Sequence, residues 1–205
     1  MIIPLQDFDF GVLDDPEFKE DAVREEIVAP LVRALGYAVS GPNRVIRGRR
    51  LEHPFVSLGV ATHRISIIPD YLLFAEGRPV WVLDAKSPTE SIDDPDHHAQ
   101  AYSYAIHRDV RVEWYALCNG REFGLYNVAD MARTPRLRFK LSEVASRWAE
   151  VHTSLRPNGR VASQGRLDKD FGILLLGVGT QKDTQLHFFG VPLVNPPIGR
   201  MEGGP

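Results

Sequence analysis

The stretch that decides the fold is PDYLLFAEGRPVWVLDAKSP, residues 69–88. Two apolar runs rich in aromatic and β-branched residues lie on either side of a short glycine-containing segment, residues 76–78. This arrangement predicts a β-hairpin. Asp70 precedes the first strand, and Asp84 and Lys86 lie at the end of the second. Charged side chains at the end of an apolar strand are costly to bury unless they serve a purpose.

The two acids of this hairpin are expected to face each other. A hairpin centred on Gly77 places Asp70 directly opposite Asp84, because both lie seven residues from the centre. Side chains paired in this way have Cβ atoms about 4.5–5.5 Å apart, so two carboxylates repel each other without a cation between them. Mg²⁺, with Mn²⁺ as a substitute, suits these carboxylates together with the main-chain carbonyl of Ala85. The site depends on the register, since a one-residue shift would put the acids on opposite faces.

The second strand is expected to direct Val80, Val82, Asp84 and Lys86 to one face, because alternate residues of a strand share a face. Lys86 would then lie beside the metal, where a lysine can orient the attacking water or stabilise charge on a phosphate. The metal lowers the pKa of bound water and acts as a Lewis acid. These parts suit phosphodiester hydrolysis. The plainer interpretation is that Asp84 and Lys86 only pair with each other.

A helix is predicted over residues 18–36. Its apolar positions recur every four residues: Val23, Ile27, Leu31 and Leu35. Residues 14–16 supply a start signal, Gly36 ends the helix, and Pro30 is expected to kink or shorten it. Glu20 is placed on the core side of this helix, from where it could reach the metal. The simpler interpretation is a favourable acid near a helix N-terminus.

A second helix is predicted from the cap Asp94 and the proline that follows it to about His107. Gln100 and Tyr104 are four residues apart on this helix and therefore share a face. Together they offer hydrogen-bond donors to a phosphate or a nucleic-acid backbone. Taken alone, the pair is better explained as ordinary polar positions on a helix.

The rest of the chain alternates strands and helices. Residues 44–68 are β-rich, residues 112–118 and 122–126 flank an Asn119-Gly120 hairpin signal, and residues 141–155 form a helical pattern. The tail holds a candidate hairpin of FGILLLGV and QLHFFGV before a loose Pro/Gly-rich end. This order predicts an α/β fold with a mixed β-sheet flanked by helices. We assign residues 1–140 to the core and residues 141–205 to a C-terminal extension.

Composition narrows the class of protein. The chain has 205 residues, 43% hydrophobic and 25% charged, which is typical of a globular protein. Cys118 is the single cysteine, so no intramolecular disulfide forms. Neither a secretory signal nor a membrane span is recognised, which predicts a cytoplasmic protein without membrane partners. The net charge of −3 argues mildly against nucleic-acid binding, although arginines cluster at residues 44–50 and 133–138.

Four blocks in a fixed order carry a family resemblance. They are EDAVREEIVAPLVRALGY at 20–37, the hairpin at 69–88, AQAYSYA at 99–105 and YALCNGREFGLYN at 115–127. Together they resemble the N-terminal nuclease domain of type I restriction enzyme R subunits and their stand-alone relatives, within the PD-(D/E)XK nuclease superfamily. The resemblance covers roughly residues 18–128.

The resemblance implies a restriction-endonuclease-like fold and a DNA-cleaving site. It assigns catalytic roles to Glu20, Asp70, Asp84, Lys86, Gln100 and Tyr104. The sequence departs from those R subunits in two ways. Position 84 is Asp where they more often have Glu, and no G-x-x-x-x-G-K-[ST] loop of a helicase motor is present.

Three interpretations remain open. The first is a metal-dependent DNA endonuclease in restriction, defence or repair, working as a homodimer or with separate specificity or motor subunits. The second is a nucleic-acid-binding module with the same fold that does not cut. The third is an α/β interaction domain whose acids and lysine merely pair. The intact set of Asp70, Asp84 and Lys86 favours the first, and the order of the four blocks disfavours the third.

Overall fold

The computed structural model describes residues 3–58, 61–159, 161–162, 186–187 and 200–201. It divides the chain into two units, Met1–Leu167 and Asp168–Pro205. In the second unit, Leu186–His187 pairs antiparallel with Arg200–Met201. The predicted strand FGILLLGV lies outside the described residues. All elements discussed below belong to the first unit.

The helices of the first unit are a 3₁₀ turn (Phe10–Asp14), α1 (Glu20–Ala22, a π turn at Val23–Val28, then Ala29–Ala34), α2 (Pro95–Ile106), a second 3₁₀ turn (Leu141–Glu143) and α3 (Val144–Leu155). The strands are β1 (Arg44–Arg47), β2 (Leu51–Leu58), β3 (Ala61–Ile67), β4 (Tyr71–Ala75), β5 (Arg78–Ala85), β6 (Trp114–Cys118), β7 (Glu122–Asn127) and β8 (Leu137–Lys140). No helix among the described residues has the length and apolar character needed to cross a bilayer.

Six strands form one mixed sheet in the order β1-β4-β5-β6-β7-β8. β5 and β6 are parallel, because α2 connects them, and the other neighbouring pairs are antiparallel. β2 and β3 pair as a separate hairpin. The prediction of an α/β fold with a mixed sheet flanked by helices is confirmed.

Each face of the sheet has its own apolar core. α1 and α3 pack on one face, where the predicted stripe of α1 and residues such as Trp148 meet Leu73 and Trp81. α2 packs on the other face, where Tyr104 meets Leu72 among others. β5 lies between β4 and β6, so its side chains are covered on both faces. A polar group at its end is therefore shielded from water.

The β4–β5 hairpin differs from the prediction at its turn. The turn has two residues rather than three, Glu76 and Gly77, and both have positive φ angles, 52° and 78°. Such a turn fits the twist of a tight hairpin. Val80 is an extra residue in β5 and makes a bulge opposite the step between Leu73 and Phe74.

The bulge restores the predicted register. Beyond it, Leu73 pairs with Trp81 and Tyr71 pairs with Leu83. Asp70 and Asp84 are the next residues on the two strands and therefore lie opposite each other. The expected face of Val80 is wrong, because the bulge turns it to the core that holds Trp81. Val82 packs on the α2 side as expected.

Helix α1 shows the predicted buried stripe. Its last helical residue is Ala34, and Gly36, with a φ of +100°, follows the C-cap Leu35 and prevents the helix from continuing. Its start signal was misassigned. Lys19 is the N-cap and makes no side-chain cap, whereas Asp15 accepts a hydrogen bond from the Glu17 N–H in the preceding loop. The π turn ends at Val28, two residues before Pro30. Proline lacks the N–H of the regular helix ladder and its ring crowds the carbonyl four residues earlier, which accounts for the local widening.

Helix α2 follows its prediction. Asp94 accepts a hydrogen bond from the Asp96 N–H, Pro95 takes the first helical position, and the helix ends at Ile106. The Asn119-Gly120 signal is confirmed by the antiparallel pairing of β6 with β7. The helix predicted at residues 141–155 is present as the second 3₁₀ turn followed by α3. The boundary assigned at residue 140 stays a prediction.

Candidate functional site

The end of β5 holds a buried ion pair. Asp84 is 3% exposed and Lys86 is 7% exposed, and Lys86 Nζ lies 2.7 Å from Asp84 Oδ2. The backbone fixes this pair, because the Lys86 N–H donates to the Cys118 carbonyl and so prolongs the pairing of β5 with β6. Alternate positions on one strand thus bring the acid and the lysine together, as the sequence indicated.

Helix α2 completes a hydrogen-bonded series on the same face. Lys86 Nζ donates to Gln100 Oε1 at 2.8 Å, and Gln100 Nε2 donates to the Tyr104 hydroxyl at 2.6 Å. Gln100 is exposed while Tyr104 is buried, so the series runs from the solvent edge of the site into the core. The structure therefore places four of the predicted residues in one contiguous group.

Asp70 lies beside this group, directly before β4. Its Oδ2 accepts a hydrogen bond from the Ala85 N–H at 2.8 Å, which ties it to the end of β5. Its Oδ1 accepts from Arg24 Nη1 at 2.7 Å. The Asp70 carbonyl also accepts from the Gly48 N–H. Both carboxylates predicted at the site thus lie at the same end of the central strands.

Glu20 lies at the edge of the site and contacts Arg24. It occupies the first position of α1, its side chain is 41% exposed, and its Oε1 lies 3.8 Å from Arg24 Nη1. This differs from the predicted core-facing position. Arg24 also pairs with Asp21, so one guanidinium joins both acids of the first helical turn to Asp70.

Sequence reasoning missed Arg24. The spacings of three and four residues to Asp21 and Glu20 indicate local ion pairs on a helix. No sequence signal connects it to Asp70, which lies 46 residues further along the chain. That contact depends on how α1 packs against β4.

The electrostatics of the site are dominated by burial of Asp84. Its pKa is raised to about 6, chiefly by burial, with Lys86 lowering it and the charges of Asp70 and Glu20 adding to the increase. Asp84 Oδ2 is buried, and its partner among the described residues is the Lys86 ammonium. Burial together with the Asp84 charge raises the pKa of Tyr104 to about 12, so this residue remains a neutral phenol.

These donors fit a hard divalent cation. Asp84 presents a buried carboxylate, Asp70 lies next to it, and the Ala85 carbonyl belongs to the same strand end. In the described part of the chain, no three His, Cys, Asp or Glu side chains are close enough to share an ion. Two carboxylates remain, a set compatible with Mg²⁺ because that ion usually retains several waters.

The two arginine clusters have different surroundings. Arg138 donates hydrogen bonds to Asp93 from both terminal guanidinium nitrogens and to Glu122 from one of them. Its charge is therefore paired within the fold. Arg44 lies over the Phe74 ring. Arg47 is at the end of β1 and lines a cleft next to Asp70. Of these arginines, Arg47 lies beside the candidate site.

The structural neighbours found among known proteins include two of low sequence identity. One is the cryoEM structure of a DrdV–DNA complex, with 14% identity and a TM-score of 0.41 over 68% of this chain. The other is the fragment structure of a putative HsdR subunit of a type I restriction enzyme from Vibrio vulnificus YJ016, with 16% identity and a TM-score of 0.37 over 78% of this chain. The chain spans 12% and 27% of those two proteins. No protein-family model and no curated protein matches it.

Proposed function

We propose that this chain is a metal-dependent nuclease that hydrolyses phosphodiester bonds of DNA and serves restriction, defence or repair. One observation carries the proposal. Asp84 is a buried carboxylate at the end of a central strand, and it lies between a second acid, Asp70, and a lysine anchored to α2. This arrangement does not favour folding, because an apolar side chain at the end of a buried strand would give a more stable fold than a buried charged group.

The donor set supports one position for the proposed metal. Asp70, Asp84 and the Ala85 carbonyl would hold Mg²⁺, or Mn²⁺ in its place. Glu20 would contribute a further carboxylate from the edge of the site. When bound, the ion supplies a Lewis acid and lowers the pKa of a coordinated water. Asp84 must be ionised to bind it. With its pKa raised to about 6, Asp84 is mostly ionised at neutral pH even before an ion is bound.

Lys86 is the residue we assign to the reacting phosphate. Its ammonium is held between Asp84 and Gln100, which fixes its position without using all three N–H donors. A remaining donor can orient the attacking water or stabilise negative charge on the phosphate. Gln100, anchored on Tyr104, positions the lysine and offers its amide at the solvent edge of the site.

A second function is favoured by one specific feature. Arg24 already neutralises Asp70, and no third acidic ligand is in place among the described residues. A domain that binds nucleic acid through its arginines and does not cut would have these properties. In that case Asp84 and Lys86 would serve only as a buried pair.

Cleavage assays separate the two functions. The purified protein is incubated with supercoiled, linear and single-stranded DNA in Mg²⁺, in Mn²⁺ and in EDTA, beside Asp84→Asn and the exposed control Asp96→Asn. The nuclease proposal expects metal-dependent cleavage by the wild type and the control, and none by Asp84→Asn. Equal cleavage by all three proteins would point to a contaminant. Retained DNA binding without cleavage under any condition would establish the binding module.

Partners follow from the same proposal. DNA is the expected ligand, and cleavage of both strands calls for two active sites. We therefore propose a homodimer or an assembly with separate specificity or motor subunits, in the cytoplasm.

A further inference from the structure

A cleft of about 420 Å³ opens beside Asp70, lined by α1 and by the end of β1. Two guanidinium groups, those of Arg24 and Arg47, line it together with the carboxylates of Asp21, Glu25 and Asp70. Arg47 is 41% exposed, lies 5.5 Å over the centre of the Tyr71 ring, and makes a 3.9 Å contact with the largely exposed Glu25. Exposed ion pairs of this kind are weak, so a phosphate that enters the cleft can replace Glu25 as the partner of Arg47.

Arg24 connects this cleft to the candidate metal site. Its carbonyl accepts hydrogen bonds from the Ala29 N–H, across the π turn, and from the Tyr71 hydroxyl at 2.6 Å. These contacts fix the backbone of Arg24. Its side chain is 33% exposed and contacts Asp70, so the guanidinium borders both the carboxylates and open solvent.

Arg24 and a divalent ion compete electrostatically for the same acid. The guanidinium donates to Asp70 Oδ1 and lies near Glu20, two of the residues assigned to the metal. A cation held by Asp70 would repel a positive charge a few ångströms away. The five N–H donors of arginine suit a phosphate as well as a carboxylate.

We propose that Arg24 exchanges partners during the reaction. In the metal-free protein it holds the cation position at Asp70. Once a divalent ion is bound, it turns into the cleft and, with Arg47, binds a backbone phosphate that flanks the one being cut. The inference rests on the proposed nuclease function, and it assigns the cleft as a phosphate subsite.

The first test measures metal affinity in the absence of nucleic acid. Its result therefore depends on the competition between Arg24 and the metal and not on catalysis. Free Mn²⁺ is followed by electron paramagnetic resonance for the wild type, Arg24→Gln and Arg33→Gln, an exposed arginine of the same helix. Arg24→Gln should bind Mn²⁺ about tenfold more tightly, and Arg33→Gln should match the wild type. Unchanged or weaker binding by Arg24→Gln, or no Mn²⁺ binding by any of the proteins, overturns the proposal.

The second test measures affinity for a short duplex DNA in a Lys86→Met background, which is expected to bind metal without cutting. In Mn²⁺, adding Arg24→Gln should weaken binding about tenfold and reduce the slope of log affinity against log salt by about one. In EDTA, where Arg24 stays on Asp70, the loss should be much smaller. Equal losses in Mn²⁺ and EDTA overturn the exchange. Cleavage by the wild type is scored separately, so a failed nuclease and a failed exchange give different results.

Discussion

Asp84 is a carboxylate whose surroundings oppose its ionisation. Its pKa is raised to about 6, chiefly by burial, with the nearby acid Asp70 acting in the same direction and Lys86 opposing it. A group of this kind costs the fold free energy at neutral pH. Residues that are maintained at such a cost are more often found at functional sites than in purely structural positions.

The pH dependence of stability tests this environment. Because the folded pKa of this acid is raised, the folded state binds more protons, so its contribution to stability falls as pH rises from about 4 to about 6. Relative to Asp84→Asn, the wild type should lose on the order of 2–3 kcal/mol of unfolding free energy between pH 4 and pH 7 in EDTA. Urea denaturation of both proteins at several pH values provides the measurement. A difference that does not change with pH would show that Asp84 is not desolvated.

At the residue scale, most residues of the site could be predicted from the sequence, but not all of their contacts. Asp84, Lys86, Gln100 and Tyr104 were recognisable because strand and helix periodicities place them on one face. Arg24 was not, since its contact with Asp70 depends on tertiary packing. The catalytic and metal-binding roles themselves stay predictions.

The β4–β5 hairpin sets the site at the scale of elements. A two-residue turn alone would shift the register by one residue and separate the acids. The bulge at Val80 compensates, so that Leu73 pairs with Trp81 and the predicted pairing is restored beyond it. The register near Asp70 was therefore predictable from the spacing. The turn and the bulge were not, because their effects on the register cancel and the spacing between Asp70 and Asp84 is the same without them.

The turn gives a prediction for stability. Glu76 has a φ of 52°, a left-handed conformation that is unfavourable for most side chains and better tolerated by Asn. Replacing Glu76 with Asn before Gly77 should stabilise the protein by roughly 0.5–1 kcal/mol. Thermal or urea unfolding measures the change, with Glu76→Val as the opposite control. A destabilised Glu76→Asn would show that the turn is not of this type.

At the scale of the whole molecule, α3 is part of the core beneath the sheet. Trp148 is 2% exposed and packs in the same cluster as Leu31 of α1 and Trp81 of β5. The sequence pattern predicted the helix and its buried stripe. It could not show which sheet face the helix covers, because that depends on the path of the whole chain.

Trp148 should accordingly be important for stability. Trp148→Ala removes a large buried side chain and should lower the free energy of unfolding by about 3–5 kcal/mol. The exposed position Arg156 on the same segment provides a control, with Arg156→Ala expected to change stability by less than about 0.5 kcal/mol. Calorimetry of the three proteins measures both changes. A small loss for Trp148→Ala would mean that α3 contributes little to the core.

The central claim is that Lys86 acts on a phosphate next to a bound metal, and one measurement tests it most directly. Initial rates of DNA cleavage in Mg²⁺ are compared for the wild type, Lys86→Met and Lys140→Met. Methionine keeps much of the volume of the buried lysine, and Lys140 is an exposed lysine outside the site. We predict that Lys86→Met loses at least about 100-fold in rate while Lys140→Met retains the wild-type rate. Equal rates in all three folded proteins would contradict the account.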